Sequence, residues 1–470
     1  MTHRREITIV GAGLVGALLA TLLAQRGFTV SVFERRPDLR RAGFSGGRSI
    51  NLALAERGWH GLRLAGLHEQ MRAIAVMMRG RMVHDIAGNT NLQRYGRDDS
   101  EVIWSVNRGA LNGVLLDAAE AAGATIHFDW RLDSVDWSSS TLSFRSENND
   151  ACLHVAPIMI GSDGAGSAVR QAMASEIDLN ERFDVLDHGY KELEIPALGA
   201  FPADRIPPEL VAAIASGERY AMEPNALHIW PRGNYMCIAL PNAEGSFTVT
   251  LFMPNEGNPS FASVRDADEA RALFERDFAD AVPLLPDLEH DYTHNPTGLL
   301  GTLYLDRWHV DGRALLVGDA AHAIVPFHGQ GMNSGFEDAV ELAELLGETP
   351  DDSAQVFAEF ERRRKPNCDA IAQMALENYI EMRDRVDDAD YLLMRDLGLM
   401  LAARRPERWM PRYSMVTFTR IPYATALARG EIQSRILRAA IAGKTNISDI
   451  DLASVDARVL QELIPLPTFS

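Results

Sequence analysis

The chain has 470 residues, of which 46% are hydrophobic and 24% charged, and its formal net charge is −19. These proportions are typical of a soluble globular protein of two or three domains, and they exclude a disordered chain, a coiled coil and a collagen-like fibre. The three cysteines lack CxxC spacing, which argues against a disulfide scaffold and a zinc ribbon. So acidic a chain is expected to bind neither nucleic acid nor anionic membrane surfaces.

The apolar stretches are too short to span a membrane, which takes about 20 residues. The best C-terminal candidate, residues 432–442, is interrupted by Arg435 and Arg438. The apolar N-terminal run contains glycines in a regular pattern, which argues against a secretory signal. We therefore expect a cytoplasmic protein without a membrane anchor.

The first 34 residues have the pattern of a dinucleotide site. A β-branched run at residues 6–10 predicts a buried parallel strand, and it leads directly into GAGLVG at residues 11–16. A helical leucine pattern and a second strand at residues 28–33 follow, and Glu34 ends that strand. The glycines allow a tight turn and close approach of a pyrophosphate to a helix N-terminus, while the carboxylate can accept ribose hydroxyls. Because a carboxylate there repels a 2′-phosphate, the pattern favours FAD or NAD.

Two later segments favour FAD over NAD. Residues 155–170 predict a strand, an Asp-Gly pair beginning at Asp163, and the start of a helix, although Asp163 could also serve simply as a helix cap. Residues 314–347 predict a strand ending at Asp319, a loop and a long amphipathic helix. Asp319 can accept a hydrogen bond from a ribityl hydroxyl. The GQGMN turn at residues 329–333 presents backbone N–H groups that can stabilise the negative charge of a reduced flavin.

These three motifs together resemble the class A flavoprotein aromatic hydroxylases, the family that includes p-hydroxybenzoate hydroxylase. The resemblance implies an α/β fold, in which a Rossmann-like FAD-binding domain carries an inserted β-sheet substrate domain and a helical C-terminal region. In that family the pair at Asp163 is associated with both flavin and nicotinamide contacts. NADPH has no domain of its own in the family, which is consistent with a single GxGxxG motif in this chain.

Further segments resemble the kynurenine 3-monooxygenase family within that class, over nearly the whole chain to about residue 421. They include GRSINLAL at 47–54, MRGRMVH at 78–84, HIWPR at 228–232, NYIEMR at 378–383 and YSMVTFTRI at 413–421. The resemblance implies hydroxylation of L-kynurenine to 3-hydroxykynurenine with NADPH and dioxygen through a flavin hydroperoxide, in tryptophan catabolism and NAD biosynthesis. The last fifty residues depart most from the family, because an acidic amphipathic segment stands where membrane-anchored relatives carry an apolar anchor.

The motifs and the resemblance together predict the cofactor contacts. Met332 and Asn333 are the expected donors to the flavin, Arg108 matches a flavin contact of the family, and Arg48 lies either in the flavin loop or on the substrate side. The full set expected to bind FAD is Gly11, Gly13, Val15, Gly16, Glu34, Arg35, Arg48, Ala53, Arg108, Leu132, Asp163, Asp319, Gly331, Met332 and Asn333.

The resemblance also predicts the substrate contacts. Arg81 can hold the substrate carboxylate bidentately, and residues matching Tyr95, Asn378 and Tyr413 contact the same amino-acid head. The other expected contacts line an apolar slot for the ring or lie beside the flavin turn: Ile238, Leu240, Phe252, Pro326, Phe327, His328 and Met382. No general base is nominated, because an aniline ring needs no deprotonation. His84, His228, His322 and His328 have no metal-ligand spacing, and no metal is expected.

Two alternatives remain open on the sequence. One is a class A hydroxylase acting on another aromatic compound, such as a phenol or a polyketide. The other is a flavin-holding binding or regulatory protein that does not turn over.

The expected organisation assigns residues 1–185 and 290–345 to the FAD-binding domain, 186–289 to the substrate sheet, and 346–470 to the helical region. The clearest strands of the substrate sheet are expected at 228–240 and 247–252, with a helix at 266–281. Pro366 is expected to start a new helix or kink one. Residues 449–465 predict an amphipathic helix that covers the active site or forms a dimer contact.

Overall fold

The computed structural model describes residues 6–42, 51–384 and 389–467, with the side chains of 382–384 left aside. Nineteen strands are described: β1 (Glu6–Val10), β2 (Thr29–Phe33), β3 (Leu52–Leu54), β4 (Ala75–Met78), β5 (Gly80–His84), β6 (Thr90–Arg94), β7 (Ile103–Val106), β8 (Thr125–His127), β9 (Arg131–Asp136), β10 (Thr141–Arg145), β11 (Ala151–Val155), β12 (Met159–Gly161), β13 (Arg182–Ile195), β14 (Ala226–Pro231), β15 (Met236–Pro241), β16 (Phe247–Pro254), β17 (Gly298–Tyr304), β18 (His309–Val310) and β19 (Ala314–Leu316).

Sixteen α-helices are described: α1 (Leu14–Gln25), α2 (Leu39–Ala42), α3 (Glu56–Leu64), α4 (His68–Ile74), α5 (Arg108–Ala121), α6 (Ala168–Met173), α7 (Val211–Ala215), α8 (Ala267–Asp277), α9 (Leu288–His294), α10 (Asp319–His322), α11 (Gly331–Glu348), α12 (Ser353–Asp384), α13 (Ala389–Arg404), α14 (Arg412–Phe418), α15 (Tyr423–Ile441) and α16 (Leu452–Glu462). In the described part of the chain, none of the helices combines the length and the apolar composition that a bilayer span requires.

A six-stranded sheet carries the nucleotide pattern predicted from the N-terminus. Its strand order is β18-β19-β12-β1-β2-β8, and β1 lies parallel between β12 and β2. Four of the five residues of β1 are buried, as expected for a β-branched strand covered by helices on both faces. Helix α1 packs on β1 and β2 and against α5 and α11, and α5 also packs on β8. The strand ends after β1, β12 and β19 therefore lie side by side at one edge of the sheet, the position where open α/β sheets bind ligands.

A seven-stranded sheet in the order β17-β13-β16-β15-β14-β5-β6 faces that edge. Its strands β14, β15 and β16 lie where the sequence predicts the substrate sheet, and β5 and β6 join them from an earlier part of the chain. Successive side chains of a strand point to opposite faces. Trp230 and Leu251 accordingly pack into one apolar cluster with α8 and α9, whereas Ile229 and Phe252 pack into another that borders the cavity described below.

The C-terminal third is helical, as expected, but Pro366 does not begin a new helix. Helix α12 continues through it from Ser353 to Asp384. The missing N–H of Pro366 is tolerated because the helix is held on both sides of it, by Phe357 and Phe360 in the main core and by Ile371 in a second cluster. Helix α16 packs its apolar side against α13 and α15.

Candidate active site

A single elongated cavity of about 1130 Å³ joins the nucleotide end of the six-stranded sheet to the face of the seven-stranded sheet. Its walls include most of the residues predicted from the sequence. From the FAD set these are Gly11, Gly13, Val15, Glu34, Arg35, Ala53, Arg108, Leu132, Asp163, Asp319, Gly331 and Met332. From the substrate set they are Arg81, Tyr95, Ile238, Leu240, Phe252, Pro326, Phe327, His328 and Tyr413.

The glycine turn after β1 leaves no room for a side chain at Gly11 or Gly16. Gly11 has φ of +103°, and a Cβ atom there would lie 2.7 Å from the carbonyl oxygen of Ser162. Gly16 is absent from the cavity wall, because its role is packing: a Cβ atom on it would lie 2.0 Å from the Gly11 carbonyl oxygen. At Gly13 a Cβ atom would meet no protein atom within 4 Å, and Gly13 lines the cavity. The turn is thus a cradle that an extended phosphate group can approach closely.

Glu34 holds this cradle from the end of β2. Its Oε2 accepts a hydrogen bond from the backbone N–H of Ala12 at 2.9 Å, and its Oε1 accepts from the backbone N–H and Nε of Arg36 at 3.0 and 3.1 Å. A carboxylate has about four lone-pair sites, so Glu34 can also accept from a ribose hydroxyl. Glu34 therefore stabilises the turn and also lines the cavity.

Asp163 has the capping role that the sequence left as an alternative, and it also lines the cavity. Its Oδ2 accepts from the backbone N–H groups of Ala168 and Val169 at 2.7 and 3.2 Å, and its Oδ1 accepts from the Ser167 hydroxyl. Burial raises the pKa of the Asp163 carboxyl, although these hydrogen bonds oppose the shift. The carboxylate is therefore committed largely to the start of α6.

The N-terminus of α11 points its first N–H groups toward the cavity wall formed by Gly331 and Met332. The hydrogen-bond ladder of this helix begins with the bond from the Ser334 N–H to the Gln330 carbonyl, so the N–H groups of Gly331, Met332 and Asn333 precede it. Together with the helix dipole they form the donor set expected for a flavin edge that carries negative charge.

The Asn333 side chain does not line the cavity; instead it joins the backbone near Ala53 to the turn at Gly329. Its Nδ2 donates to the carbonyl oxygens of Ala53 and Gly329, both at 2.8 Å, and its Oδ1 accepts from the backbone N–H of Ala55 at 2.9 Å. The amide is fully buried. Only the backbone of Asn333 is available as the donor predicted from the sequence.

A buried ionic network beneath α11 was missed by the sequence analysis. Glu337 accepts from Arg57 and Arg364, each at 2.6 Å, and Asp338 accepts from Arg364 at 2.7 Å and from His322 at 2.6 Å. Burial lowers the pKa of His322, but the surrounding acidic groups outweigh it and raise that pKa well above its ordinary value. The one signal for this network in the sequence was the acidic pair Glu337 and Asp338 within the predicted amphipathic helix.

This network fixes the backbone that borders the cavity. Oδ2 of Asp338 also accepts from the Gly318 N–H at 2.9 Å, immediately before Asp319. The ligand atoms of His322, Asp338 and Cys368 lie within 4.8 Å of one another. The guanidinium of Arg364 contacts the same carboxylate, so the chemistry is that of an ion-pair network rather than a metal centre.

At the other end of the cavity, Arg81 lies beside a stacked pair of phenol rings. Its guanidinium carbon is 5.7 Å from the ring centres of both Tyr95 and Tyr413, and the two rings stack at 5.5 Å. In the part of the chain that the structure describes, Arg81 makes no ion pair, unlike Arg79 two residues before it, which pairs with Asp99. Burial by itself lowers the pKa of Arg81, but the neighbouring phenols and acidic groups raise it, so the guanidinium stays charged.

His328 continues this stack. Its ring lies 5.4 Å from that of Tyr413 with an interplanar angle of 15°. Burial lowers the pKa of His328 to about 4, and the charges of Arg412 and Arg81 add to the shift, so the ring is neutral at pH 7. Its Nδ1 is buried without a hydrogen-bond partner among the described residues. A ligand group in the cavity is therefore a natural partner for this nitrogen.

The middle of the cavity is an apolar slot. Phe252 and Phe327 lie 5.0 Å apart, and Tyr379 stacks on Phe327 at 4.2 Å from behind. Ile238 and Leu240 on β15 complete this wall. The alternation of β15 and β16 brings these side chains to one face, which the strand pattern predicts.

Besides Gly16 and Asn333, the predicted residue Asn378 is also off the wall. It is buried behind the slot, where its Nδ2 donates to the carbonyl oxygen of Phe327 at 2.6 Å. Arg48 lies outside the described residues, and so does the side chain of Met382. Asn51 was not predicted but lines the cavity; its Nδ2 donates to Asn242 at 2.8 Å and to Ser105 at 3.1 Å.

Comparisons with solved structures agree with this fold. PqsL from P. aeruginosa, solved with 2-aminobenzoylacetate, superposes with a TM-score of 0.62 at 20% sequence identity, covering 81% of this chain and 97% of that chain. The tetrameric 2-methyl-3-hydroxypyridine-5-carboxylic acid oxygenase gives a TM-score of 0.60 at 20% identity, covering 83% of this chain and 96% of that one. At such identities the likeness concerns the fold.

The model of the FAD binding domain family matches residues 4–204 and 232–375. With the cavity, the glycine cradle and the α11 donors, this match defines a flavoprotein hydroxylase of the class A type that binds FAD. The kynurenine 3-monooxygenase of Xanthomonas axonopodis pv. citri (strain 306) is 56% identical to this chain over 464 residues. That of Xanthomonas euvesicatoria pv. vesicatoria (strain 85-10) is 57% identical over 463 residues, and both alignments cover 98% of each chain. The chain belongs to the kynurenine 3-monooxygenase family.

Proposed function

We propose that this flavoprotein uses NADPH and dioxygen to hydroxylate L-kynurenine to 3-hydroxykynurenine in tryptophan catabolism. The observation that carries the proposal is the charged, half-buried Arg81 beside the rings of Tyr95 and Tyr413 at the end of the FAD cavity. A guanidinium held there without an acidic partner is suited to a ligand carboxylate, which kynurenine supplies. The relatives named kynurenine 3-monooxygenase support the same substrate.

The bound flavin supplies the activation of dioxygen and the transfer of one oxygen atom to an aromatic ring. The residues of this chain supply orientation. Arg81 and Tyr95 hold the amino-acid head, and the slot between Phe252 and Phe327 holds the ring, so that one ring carbon faces the flavin edge. The apolar wall also excludes water, which would otherwise divert oxygen to hydrogen peroxide.

The arrangement needs no protein base for the ring. The amino group on the kynurenine ring already donates electrons to its ortho carbon, whereas a phenol substrate would need deprotonation. His328 is held neutral and its unpaired Nδ1 can accept a hydrogen bond from the substrate. We assign it to orientation.

The test of the function is direct. The purified protein should be yellow with bound FAD, and L-kynurenine should stimulate NADPH oxidation with formation of 3-hydroxykynurenine. Stimulation by phenols alone would support a class A hydroxylase that acts on another aromatic compound. No stimulation by any aromatic compound would support a flavin-holding protein without turnover. Either result would overturn the proposal.

Arg81→Ala tests the observation that carries the proposal. Loss of a charge-assisted bond should raise the KM for L-kynurenine about 10- to 100-fold with unchanged flavin content. Arg79→Ala is the matched control, because Arg79 pairs with Asp99 outside the cavity. Equal KM values in both variants would remove Arg81 from the substrate site.

The remaining expectations stay predictions. They are the use of NADPH rather than NADH, a cytoplasmic location, and the choice between a cover and a dimer contact for the C-terminal segment.

A further inference from the structure

Two histidines lie one turn apart on helix α9, which packs on the face of the seven-stranded sheet opposite the cavity. His290 and His294 are both exposed, and neither lines the FAD cavity. Residues four apart on a helix are neighbours on its surface. The two rings accordingly stack, with centroids 4.0 Å apart and an interplanar angle of 24°. The pair therefore presents two imidazoles side by side on one face of the protein.

The hydrogen bond of His294 determines which of its nitrogens is free. Nδ1 lies 2.9 Å from the carbonyl oxygen of His290, and because a carbonyl can only accept, Nδ1 carries a proton. In the neutral ring, Nε2 then carries the lone pair that can bind a metal ion. Histidines that bind metals commonly donate their other N–H to a backbone carbonyl, which fixes the tautomer and the ring orientation. His294 already has this arrangement.

Neither ring is engaged by a carboxylate. Within the described stretches of the chain, His290 and His294 form no ion pair, and the ring nitrogens of His290 form no hydrogen bond. The buried rings of His84 and His322, by contrast, bond to Asp280 and Asp338. Two metal–nitrogen bonds of about 2.1 Å can join nitrogens up to about 4.2 Å apart, so neighbouring rings at 4.0 Å can share one ion.

The chemistry of the pair selects the class of ion. Imidazole nitrogens suit Zn²⁺, Ni²⁺ and Cu²⁺, whereas Mg²⁺ and Ca²⁺ prefer oxygen ligands. The net charge of −19 attracts cations of every kind, so the selectivity must come from the two rings. Water completes the coordination at such an exposed position.

Helix α9 is bonded to a strand of the substrate sheet. Nζ of Lys191 on β13 donates to the carbonyl oxygen of Tyr292 at 2.6 Å, and Nδ2 of Asn295 donates to the carbonyl oxygen of Glu192 at 2.7 Å. Strand β13 pairs in turn with β16, which carries the cavity residue Phe252. An ion that binds the folded helix but not the unfolded chain stabilises the folded state. Ion binding at α9 should therefore stabilise this side of the sheet.

We propose that His290 and His294 form a surface site for a divalent transition-metal ion of the Zn²⁺ class, and that the bound ion stabilises α9 on the substrate sheet. The site is separate from the FAD cavity, and the hydroxylation needs no metal, so the ion has no catalytic role. The proposal stands independently of the substrate proposed above.

The experiment is a calorimetric titration of Zn²⁺ into the FAD-loaded protein, without a histidine tag and after treatment with EDTA. The wild-type protein should bind one ion per chain at this site. Losing one imidazole in His290→Gln or His294→Gln should weaken binding at least about 10-fold, the smallest loss expected when only the partner of a metal ligand is removed. His68→Gln is the matched control, because His68 is also partly exposed but lies beside Glu69, and it should bind Zn²⁺ as wild type does.

Thermal unfolding gives a second readout. Zn²⁺ should raise the Tm of wild type and of His68→Gln, and EDTA should reverse the increase, whereas Mg²⁺ should leave Tm unchanged. The Tm of His290→Gln and of His294→Gln should not respond to Zn²⁺. Equal Zn²⁺ affinity and equal Tm shifts in wild type and both variants would show that other groups hold the ion and would overturn the proposal. A wild-type protein that binds no Zn²⁺ would overturn it as well.

Discussion

We expect the contribution of His228 to stability to be lost as the pH falls from 7.5 to 5, because this ring is held neutral inside the seven-stranded sheet. Nε2 of His228 lies 2.9 Å from the Glu223 carbonyl oxygen, which can only accept, so this nitrogen carries a proton. Nδ1 of His84 lies 2.7 Å from Oδ2 of Asp280 and donates to that carboxylate. The remaining 2.8 Å contact, between His84 Nε2 and His228 Nδ1, needs one more proton.

A neutral His228 carries its one proton on Nε2 and accepts a hydrogen bond through Nδ1. Protonating His228 would turn Nδ1 into a donor and break the bond between the two rings. The Asp280 carboxylate, whose pKa is lowered by its bonds to His84 and Trp230 although burial opposes the shift, accepts at the far side of His84.

The magnitude follows from the pKa of His228. Burial lowers this pKa from 6.5 to about 4. A histidine with a depressed pKa in the folded state contributes stability that is complete above pH 6.5 and is lost as the pH falls toward 4, because only the unfolded chain takes up the proton. At about 1.36 kcal/mol per unit, the loss from this residue by pH 5 is about 2 kcal/mol. His328 adds a loss of the same sign.

Urea unfolding at the two pH values isolates the His228 contribution when wild type is compared with His228→Gln. The glutamine does not titrate, so the variant should be less stable at pH 7.5 but should lose about 2 kcal/mol less than wild type on acidification. His290→Gln, at an exposed position, is the control and should follow wild type. Identical pH dependence in wild type and His228→Gln would refute the neutral state assigned to His228.

Three further predictions concern the FAD cavity. Gly11→Ala should yield protein without flavin absorbance, because its Cβ would lie 2.7 Å from the Ser162 carbonyl oxygen. A yellow variant would contradict the role of this turn in binding FAD. Asn51→Ala should lower the free energy of unfolding by about 1–3 kcal/mol in urea titrations, because it removes the bonds that join the segment before β3 to Ser105 and Asn242; no change would contradict that role. Asp338→Asn should cost about 3–5 kcal/mol, because it removes one of the two carboxylates that pair with the buried Arg364 and the carboxylate that accepts from His322; a smaller loss than that of Asn51→Ala would contradict the network.

The sequence predicted those parts of the site that depend on short spacings. The glycine turn, the strand before Asp319 and the start of α11 lie in contiguous stretches, where strand, turn and helix signals reinforce one another. The ionic network was missed because its members are far apart in the chain: Arg57 pairs with Glu337 across 280 residues. No local pattern distinguishes such an arginine from one at the surface.

Side-chain direction was the second limit. The expectation for Asn333 concerned its backbone N–H, and no role was predicted for its side chain, whose amide donates to Ala53 and Gly329 because buried backbone carbonyls there need donors. The side chain of Asn378 bonds to a carbonyl behind the slot. Pro366 was expected to start a new helix or kink one, and tertiary packing carries α12 through it.

The placement of Arg81 shows how strand pairing produces the specificity of the cavity. Strand β5 joins the substrate sheet by parallel pairing with β14, which sets Arg81 opposite Leu227 at the cavity wall. A register shift of one residue would turn Arg81 away from the cavity and bring a neighbouring side chain of the strand in its place. In a chain of net charge −19, a substrate carboxylate is attracted only where such a guanidinium is held by local structure. The β5–β14 register therefore determines binding of the carboxylate as directly as the arginine itself does.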